Sequence, residues 1–279
     1  MIPIRRAAVC GQPIAHSLSP VIHNAGFAAA GLSGWSYSAV ECAEPGLAAL
    51  VGGLGPEWAG LSLTMPLKEE ALRLAAVATP VAVAIGAANT LVRREDGTWQ
   101  ADNTDVPGIV RVLQNAGLKP APSVTVLGGG GTARAALAAA AQLGASAVTV
   151  VTRRLEAFAG LAPAADALGI TLLSVPWERA PETFQADAVI STVPKGASDH
   201  LAGSVAWRDG TVLFDAIYDP WPTPLAADAL AHGVPVISGL DLLLAQALSQ
   251  FEQFTGVTPA PEEAMRSALL GAAAARACG

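Results

Sequence analysis

A chain of 279 residues, 52% hydrophobic and only 14% charged, has material for a sizeable core and suits one large or two modest domains. A net charge of −7 argues against a general nucleic-acid or anionic-membrane surface, though it leaves room for a local basic pocket. Three cysteines, Cys10, Cys42 and Cys278, without C-x-x-C spacing, give no zinc signature and suit a reducing cytoplasm.

Residues 7–10 read as a strand with no signal-peptide design before it. Residues 20–31 read as a helix, with Ser19 as its cap and Pro20 in its first turn. Ser17 and Ser19 flank one leucine there. Two hydroxyls beside a helix N-terminus suit a small carboxylate or phosphate, and plain capping is the alternative. His16 and His23 have no ligand partner at metal spacing, and His16 is expected to be structural rather than catalytic. Residues 35–42 are extended, 45–51 form a short helix, 59–63 a strand, and Pro66 opens a helix through 76. Lys68 falls in that helix's first turn, against the dipole, whereas Glu69 and Glu70 favour it. A cation placed against local preference flags function, with a solvated lysine as the plainer reading.

The run 74–92 is the least charged stretch. Pro80, Gly86 and Asn89 break it, and alanine rather than leucine fills it, so it is not expected to span a membrane. Asn89 and Thr90 interrupt the apolar run as a strand begins. Residues 89–94 and 98–101 read as a hairpin turning at Asp96-Gly97. In ADNTDVPG, 101–108, Asp102 and Asp105 stand at a helix start. One suffices as cap, and spacing does not say which. This alternation predicts a first α/β domain with a mostly parallel sheet.

A helix at about 106–116 leads through Pro120 and Pro122 into VTVLGGGGTARAAL, 124–137. Strand, glycine turn and alanine-rich helix, in that order, make the first unit of a dinucleotide-binding fold. Gly128 serves the tight turn, Gly130 lets a pyrophosphate approach the backbone, and small Ala133 lets the helix close on the strand. The helix-start amides face the phosphates. A second strand, 147–151, ends in Thr152-Arg153-Arg154. Two guanidinium forks, where an acid would hold a ribose hydroxyl, favour a 2′-phosphate and so NADP. Strands at 171–175, 188–191, 212–215 and 235–237 complete a six-strand Rossmann set. Two helices, 240–255 and 261–275, remain, and they are expected to pack back on the first domain and leave a cleft. The expected fold class is α/β with two domains. Residues 1–104 plus 239–279 make a substrate-binding domain, and 105–238 a doubly wound, Rossmann-type NADP-binding domain.

PIAHSLSP, TMPLKEEA, GAANTL, DNTD, GGGGTAR and YDPWPTPL stand in this order across essentially the whole chain. By these stretches the sequence resembles the shikimate dehydrogenase family. The resemblance implies NADP-dependent interconversion of 3-dehydroshikimate and shikimate, a step toward chorismate and the aromatic amino acids. It makes Lys68 and Asp105 the catalytic pair, with Lys68 as acid/base or oxyanion stabiliser and Asp105 orienting it. Ser17 and Ser19 would bind the substrate carboxylate. Thr64, Asn89 and Asp105 would hold ring hydroxyls, with Lys68 also touching substrate and Tyr218 and Gln246 closing the site. Gly128, Gly129, Gly130, Gly131, Thr132, Ala133 and Thr192 would cradle NADP, Gly239 would lie along the nicotinamide, and Thr152, Arg153 and Arg154 would take the 2′-phosphate.

Three positions depart from the family pattern. Ser62 replaces an asparagine, Val106-Pro107 separates DNTD from Gly108, and Asp241 and Leu242 occupy a segment that usually carries methionine. Relatives acting on quinate or aminoshikimate share most of the motifs and form the nearest alternative. A non-catalytic NADP-binding protein has no need of both Lys68 and Asp105, and a tetrahydrofolate-type dehydrogenase has no use for the serine pair. The partner expected is a small-molecule substrate, without nucleic acid, membrane or metal, in a cytoplasmic monomer or homodimer.

Overall fold

The structure is a computed structural model and describes residues 4–277, so Cys278 lies outside the described residues. The chain divides into two compact units, Met1–Thr104 with Gln246–Gly279, and Asp105–Ala245. Among the described residues there are two six-stranded sheets.

The first unit holds β1 (Arg5–Gly11), β2 (Trp35–Glu41), β3 (Trp58–Leu63), β4 (Val77–Ala78), β5 (Thr90–Arg93) and β6 (Trp99–Asp102), ordered β2-β1-β3-β5-β6-β4. The pairs β1–β2, β1–β3 and β4–β6 are parallel, and β5 runs antiparallel to both neighbours. Ala8, Cys10, Leu61, Leu63, Leu91 and Ala101 from the central strands form the core with Leu47 and Leu67. The hairpin turns as its sequence predicts. Gly97 takes φ 82°, and the Asp96 carboxylate accepts the Thr98 N–H and hydroxyl. The C-terminal helix Glu262–Ala277 packs on the helix Ser19–Ala29. Two glycines admit the C-terminal helices. A Cβ at Gly60 on β3 would overlap the Phe254 ring, and one at Gly26 would stand 3.0 Å from Met265 and Phe251.

Local chemistry adjusts several boundaries. The helix expected from Pro66 is Lys68–Leu74, because Leu67 N–H closes a turn on Thr64 O at 2.8 Å. The alanine-rich run contains a further helix, Pro80–Ile85. Thr79 caps it, Pro80 opens it, and Gly86 stops it in the left-handed region at φ 64°.

The second unit holds β7 (Val124–Leu127), β8 (Ala147–Thr152), β9 (Thr171–Pro176), β10 (Ala188–Ser191), β11 (Val212–Asp215) and β12 (Val236–Ser238). All its pairings are parallel, in the order β12-β11-β10-β7-β8-β9. That is the doubly wound Rossmann order, with its switch point between β7 and β10. The helix Gly131–Gln142 buries Ala133, Ala135, Ala136 and Ala138 through Ala140, so small side chains line its contact faces. Among the described residues no helix is long and apolar enough to cross a membrane.

Candidate active site

In the first sheet, β1, β3 and β6 end where antiparallel β5 begins, and four polar stretches meet at that edge. Thr64 N–H donates to Cys10 O at 2.9 Å, and Leu63 N–H to Asn89 O at 2.7 Å. Ala88 N–H donates to Lys68 O at 2.8 Å, and Asn89 N–H to Asp102 O at 3.0 Å. These bonds bring Thr64, Lys68 and Asn89 to one place. Gly11, the last residue of β1, lies so close to Thr64 that a Cβ there would overlap its methyl group. Lys68 is the first residue of its helix, half-buried, with Glu69 and Glu70 behind it in the first turn.

The serine pair departs from expectation. Leu18, not Ser19, is the residue before the helix, and it already has helical dihedrals (φ −90°, ψ −8°). Ser19 therefore lies inside the first turn, outside the extended geometry a cap needs, and no side-chain cap bond forms. Ser17 Oγ instead accepts the Ser19 N–H at 3.3 Å. His16 is exposed, and its backbone carbonyl accepts from Arg276 at 2.7 Å, so its ring has no buried structural role.

The two aspartates of DNTD separate cleanly. Asp102 is committed to structure: Oδ1 accepts from Thr79 Oγ1 at 2.7 Å and Asn103 N–H at 2.8 Å, and Oδ2 accepts from Gln253 Nε2 at 2.7 Å. Asp105 is buried and opens the helix Asp105–Asn115, where the dipole favours a carboxylate.

Behind this edge lies a buried polar chain that sequence reading does not reveal. Tyr37 OH donates to Ser62 Oγ at 2.6 Å, and Ser62 donates to Gln250 Oε1 at 2.6 Å. Gln250 Nε2 donates to Thr90 Oγ1 at 2.9 Å and Asn89 O at 3.2 Å. Thr90 Oγ1 donates to Asn89 Oδ1 at 2.8 Å. Thr104 adds its N–H at 2.8 Å and its hydroxyl at 3.1 Å to the same oxygen. His23 stacks on Tyr37, 4.1 Å between ring centroids and 3° from parallel. Burial holds its pKa down at about 3. The nearby Gln250 amide opposes that shift, but it is already engaged with Ser62, Thr90 and Asn89, and neither ring nitrogen meets a partner of hydrogen-bond geometry. The missed signal was three glutamines, Gln246, Gln250 and Gln253, at i, i+4 and i+7 of an apolar helix, Gly239–Thr255.

The second sheet gathers the predicted cofactor residues at its carboxyl edge. Gly128, with φ 114°, follows β7, and a Cβ there would stand 2.5 Å from Thr192 Oγ1. Thr192 follows β10 across the switch point, and its N–H and hydroxyl both donate to Leu127 O at 2.9 Å. A Cβ at Gly129 would stand 2.7 Å from Ala157 O, whereas one at Gly130 would meet nothing within 4 Å. Packing therefore accounts for the first two glycines and not the third. An open backbone at Gly130 is what a close-lying pyrophosphate requires. Gly130 is also the extended N-cap of Gly131–Gln142 and offers no side chain to its first amides, including that of Thr132. Arg153 and Arg154 are exposed just beyond β8, with Thr152 Oγ1 donating to Arg154 O at 3.1 Å. Gly239, after β12, lies against Ala216 O, and a Cβ there would stand 3.1 Å from the Tyr218 ring. Gln246, in the first unit, is buried.

Residues 9–91 match the family model described as the shikimate dehydrogenase substrate binding domain, and residues 239–270 that of the shikimate 5'-dehydrogenase C-terminal domain. The shikimate dehydrogenase (NADP(+)) of Caulobacter vibrioides is 38% identical over 262 residues, spanning 91% of this chain and 90% of that protein. The chain belongs to the shikimate dehydrogenase family. The crystal structure of Mycobacterium tuberculosis shikimate dehydrogenase is 45% identical, with a TM-score of 0.87 over 96% of this chain and 99% of that one. The Thermus thermophilus shikimate 5-dehydrogenase, solved in complex with NADP(H) and shikimate, is 32% identical, with a TM-score of 0.81 over 95% of this chain and 100% of that one.

Two departures from the family pattern have local causes. Ser62 is buried in the chain from Tyr37 to Gln250. Asp241 accepts both the N–H and the hydroxyl of Ser238 at 2.8 Å, bracing the start of its helix as one arm of a capping box. Thr223 of YDPWPTPL, also missed as a functional element, caps the helix Pro224–Ala231 and donates to buried Asp215 at 2.8 Å.

Proposed function

We propose that this chain catalyses the reversible, NADP-dependent reduction of 3-dehydroshikimate to shikimate. The unit containing Ser17, Ser19, Thr64, Lys68, Asn89 and Gln246 binds the substrate, and the unit containing the glycine turn binds NADP. The observation that carries the substrate side is the junction of Thr64, Lys68 and Asn89 through the Ala88–Lys68 and Leu63–Asn89 backbone bonds. It gathers a hydroxyl, an ammonium and an amide at one sheet edge, which are donors suited to a polyhydroxylated acid.

The residues present fit NADP. Gly128 through Ala133 offer a glycine turn with one open backbone position and a helix start without a side-chain cap. Arg153 and Arg154 supply exposed positive charge at the end of β8, where a 2′-phosphate would be held, with Thr152, Thr192 and Gly239 completing the lining. NADP, when bound, supplies the hydride chemistry.

Reduction of the ketone demands a proton, or positive charge, at its oxygen. Lys68 supplies it, at the head of a helix whose own dipole adds positive potential. Ser17 and Ser19 take the carboxylate, Thr64 and Asn89 the ring hydroxyls, and Asp105 orients the reacting groups. Tyr218 and Gln246 complete the substrate lining. The free, buried thiols of Cys10 and Cys42 fit a cytoplasmic enzyme.

The test is kcat/KM for shikimate, quinate and aminoshikimate, each with NADP and NAD. The highest value is expected for shikimate with NADP. A clear preference for quinate with NAD would replace this reading.

A further inference from the structure

We propose that Gln250 is a positioning residue for the reaction, holding Asn89 so that its amide NH2 serves as the donor to substrate. The inference rests on the reading of Asn89 as a substrate contact.

The orientation of Asn89 follows from donor and acceptor chemistry. The Thr104 backbone N–H only donates, so the Asn89 atom 2.8 Å from it is the oxygen. Flipping the amide would set NH2 against that N–H. Thr90 Oγ1 donates its single proton to the same oxygen at 2.8 Å and accepts from Gln250 Nε2 at 2.9 Å, with the Thr104 hydroxyl 3.3 Å away beside it. Gln250 also donates to the Asn89 carbonyl, gripping the residue at its backbone and, through Thr90, at its side chain. The glutamine is itself oriented. Its oxygen accepts from Ser62, which accepts from Tyr37. Donation therefore runs one way, from Tyr37 through Ser62, Gln250 and Thr90 to Asn89 Oδ1, with every one of these residues buried. A chain with one polarity allows one arrangement, and each orphaned member would carry the desolvation cost of a buried polar group. Gln250 also lies one helical turn after Gln246 on the same helix. The contact that fixes Asn89 thus also fixes the helix carrying another proposed substrate residue.

The test is steady-state kinetics of the full-length chain carrying Gln250→Met, a side chain of similar size that makes none of the three bonds. KM for shikimate is expected to rise about tenfold, as for loss of one buried hydrogen-bonded contact, with KM for NADP little changed. Asn89→Ala is expected to raise the shikimate KM by itself, and adding Gln250→Met to it should do nothing further, because the glutamine acts through the asparagine. A merely structural role for Gln250 predicts additive effects or equal loss for both substrates, and either overturns the proposal. If Asn89→Ala raises KM while Gln250→Met is silent, positioning fails and the substrate contact stands. If Asn89→Ala leaves KM unchanged, the contact fails and the proposal with it. Should Gln250→Met not fold, Thr90→Val, which removes only the relaying hydroxyl, enters the same cycle and is judged by the same outcomes.

Discussion

The carboxyl edge of the second sheet is made of backbone, and that of the first is made of side chains. At Gly128 to Gly131 the proposed working groups are amides, and packing requires glycine at Gly128, where a Cβ would strike Thr192, and at Gly129, where it would strike Ala157. At Thr64, Lys68 and Asn89 the proposed working groups are a hydroxyl, an ammonium and an amide, carried on backbone that is tied to residues far away in sequence. A backbone site tolerates little change in its own residues and depends little on the rest of the core. A side-chain site transfers that sensitivity to the residues behind it, such as Ser62 and Gln250. The difference also suits the ligands, since phosphates are alike from one dinucleotide to the next and ring hydroxyls are not.

Substitutions that separate the two edges should produce separate kinetic signatures. The largest effect is expected from Lys68→Ala, which should lower kcat by about 10²-fold or more with NADP binding retained. Near-normal turnover would remove Lys68 from the chemistry. Gly128→Ala places a Cβ beside Thr192 at a φ of 114°. With strain of about 1–3 kcal/mol, it should raise KM for NADP at least several-fold while the shikimate KM holds. A matching rise in both would show that the edges are not independent. Arg153→Ala should raise KM for NADP by about tenfold and leave the weaker use of NAD unchanged, because only the 2′-phosphate contact is lost. Equal loss with both cofactors would place Arg153 elsewhere in the cofactor's environment.

The last effect bears on stability alone and leaves both edges unchanged. Buried His23 has a pKa near 3 when folded, against an ordinary value of 6.5. Between those values the unfolded chain binds a proton that the folded chain refuses. Stability is therefore full above the upper value and falls as pH drops through the window, by about 2 kcal/mol from pH 7 to pH 5. His23→Phe, which keeps an aromatic ring beside Tyr37, should remove that part of the loss in urea unfolding at the two pH values. Identical losses in both proteins would show that His23 is protonated in the fold.

What could be read from the sequence follows the same division. The glycine turn, the arginines after β8 and all six strands of the second sheet were legible because each is specified within a few residues. Lys68 and Asn89 were visible as polar residues placed against local preference. Their support was not, because Ser62 and Gln250 are 188 positions apart and no local pattern pairs them. Ser19 was misjudged as a cap because Leu18 is already helical, a matter of dihedral angle rather than residue type. Two capped helices, Pro80–Ile85 and Pro224–Ala231, were passed over although each opens with Thr-Pro. In the first case the alanine-rich surroundings masked the signal.

The most direct test of the account is to mix the purified chain with NADPH and follow the reduced nicotinamide on adding 3-dehydroshikimate. The two edges together predict oxidation of one NADPH per ketone reduced, with formation of shikimate. Tight binding of NADPH without oxidation would leave the backbone edge standing as a nucleotide site and contradict the catalytic role of Lys68 and its neighbours.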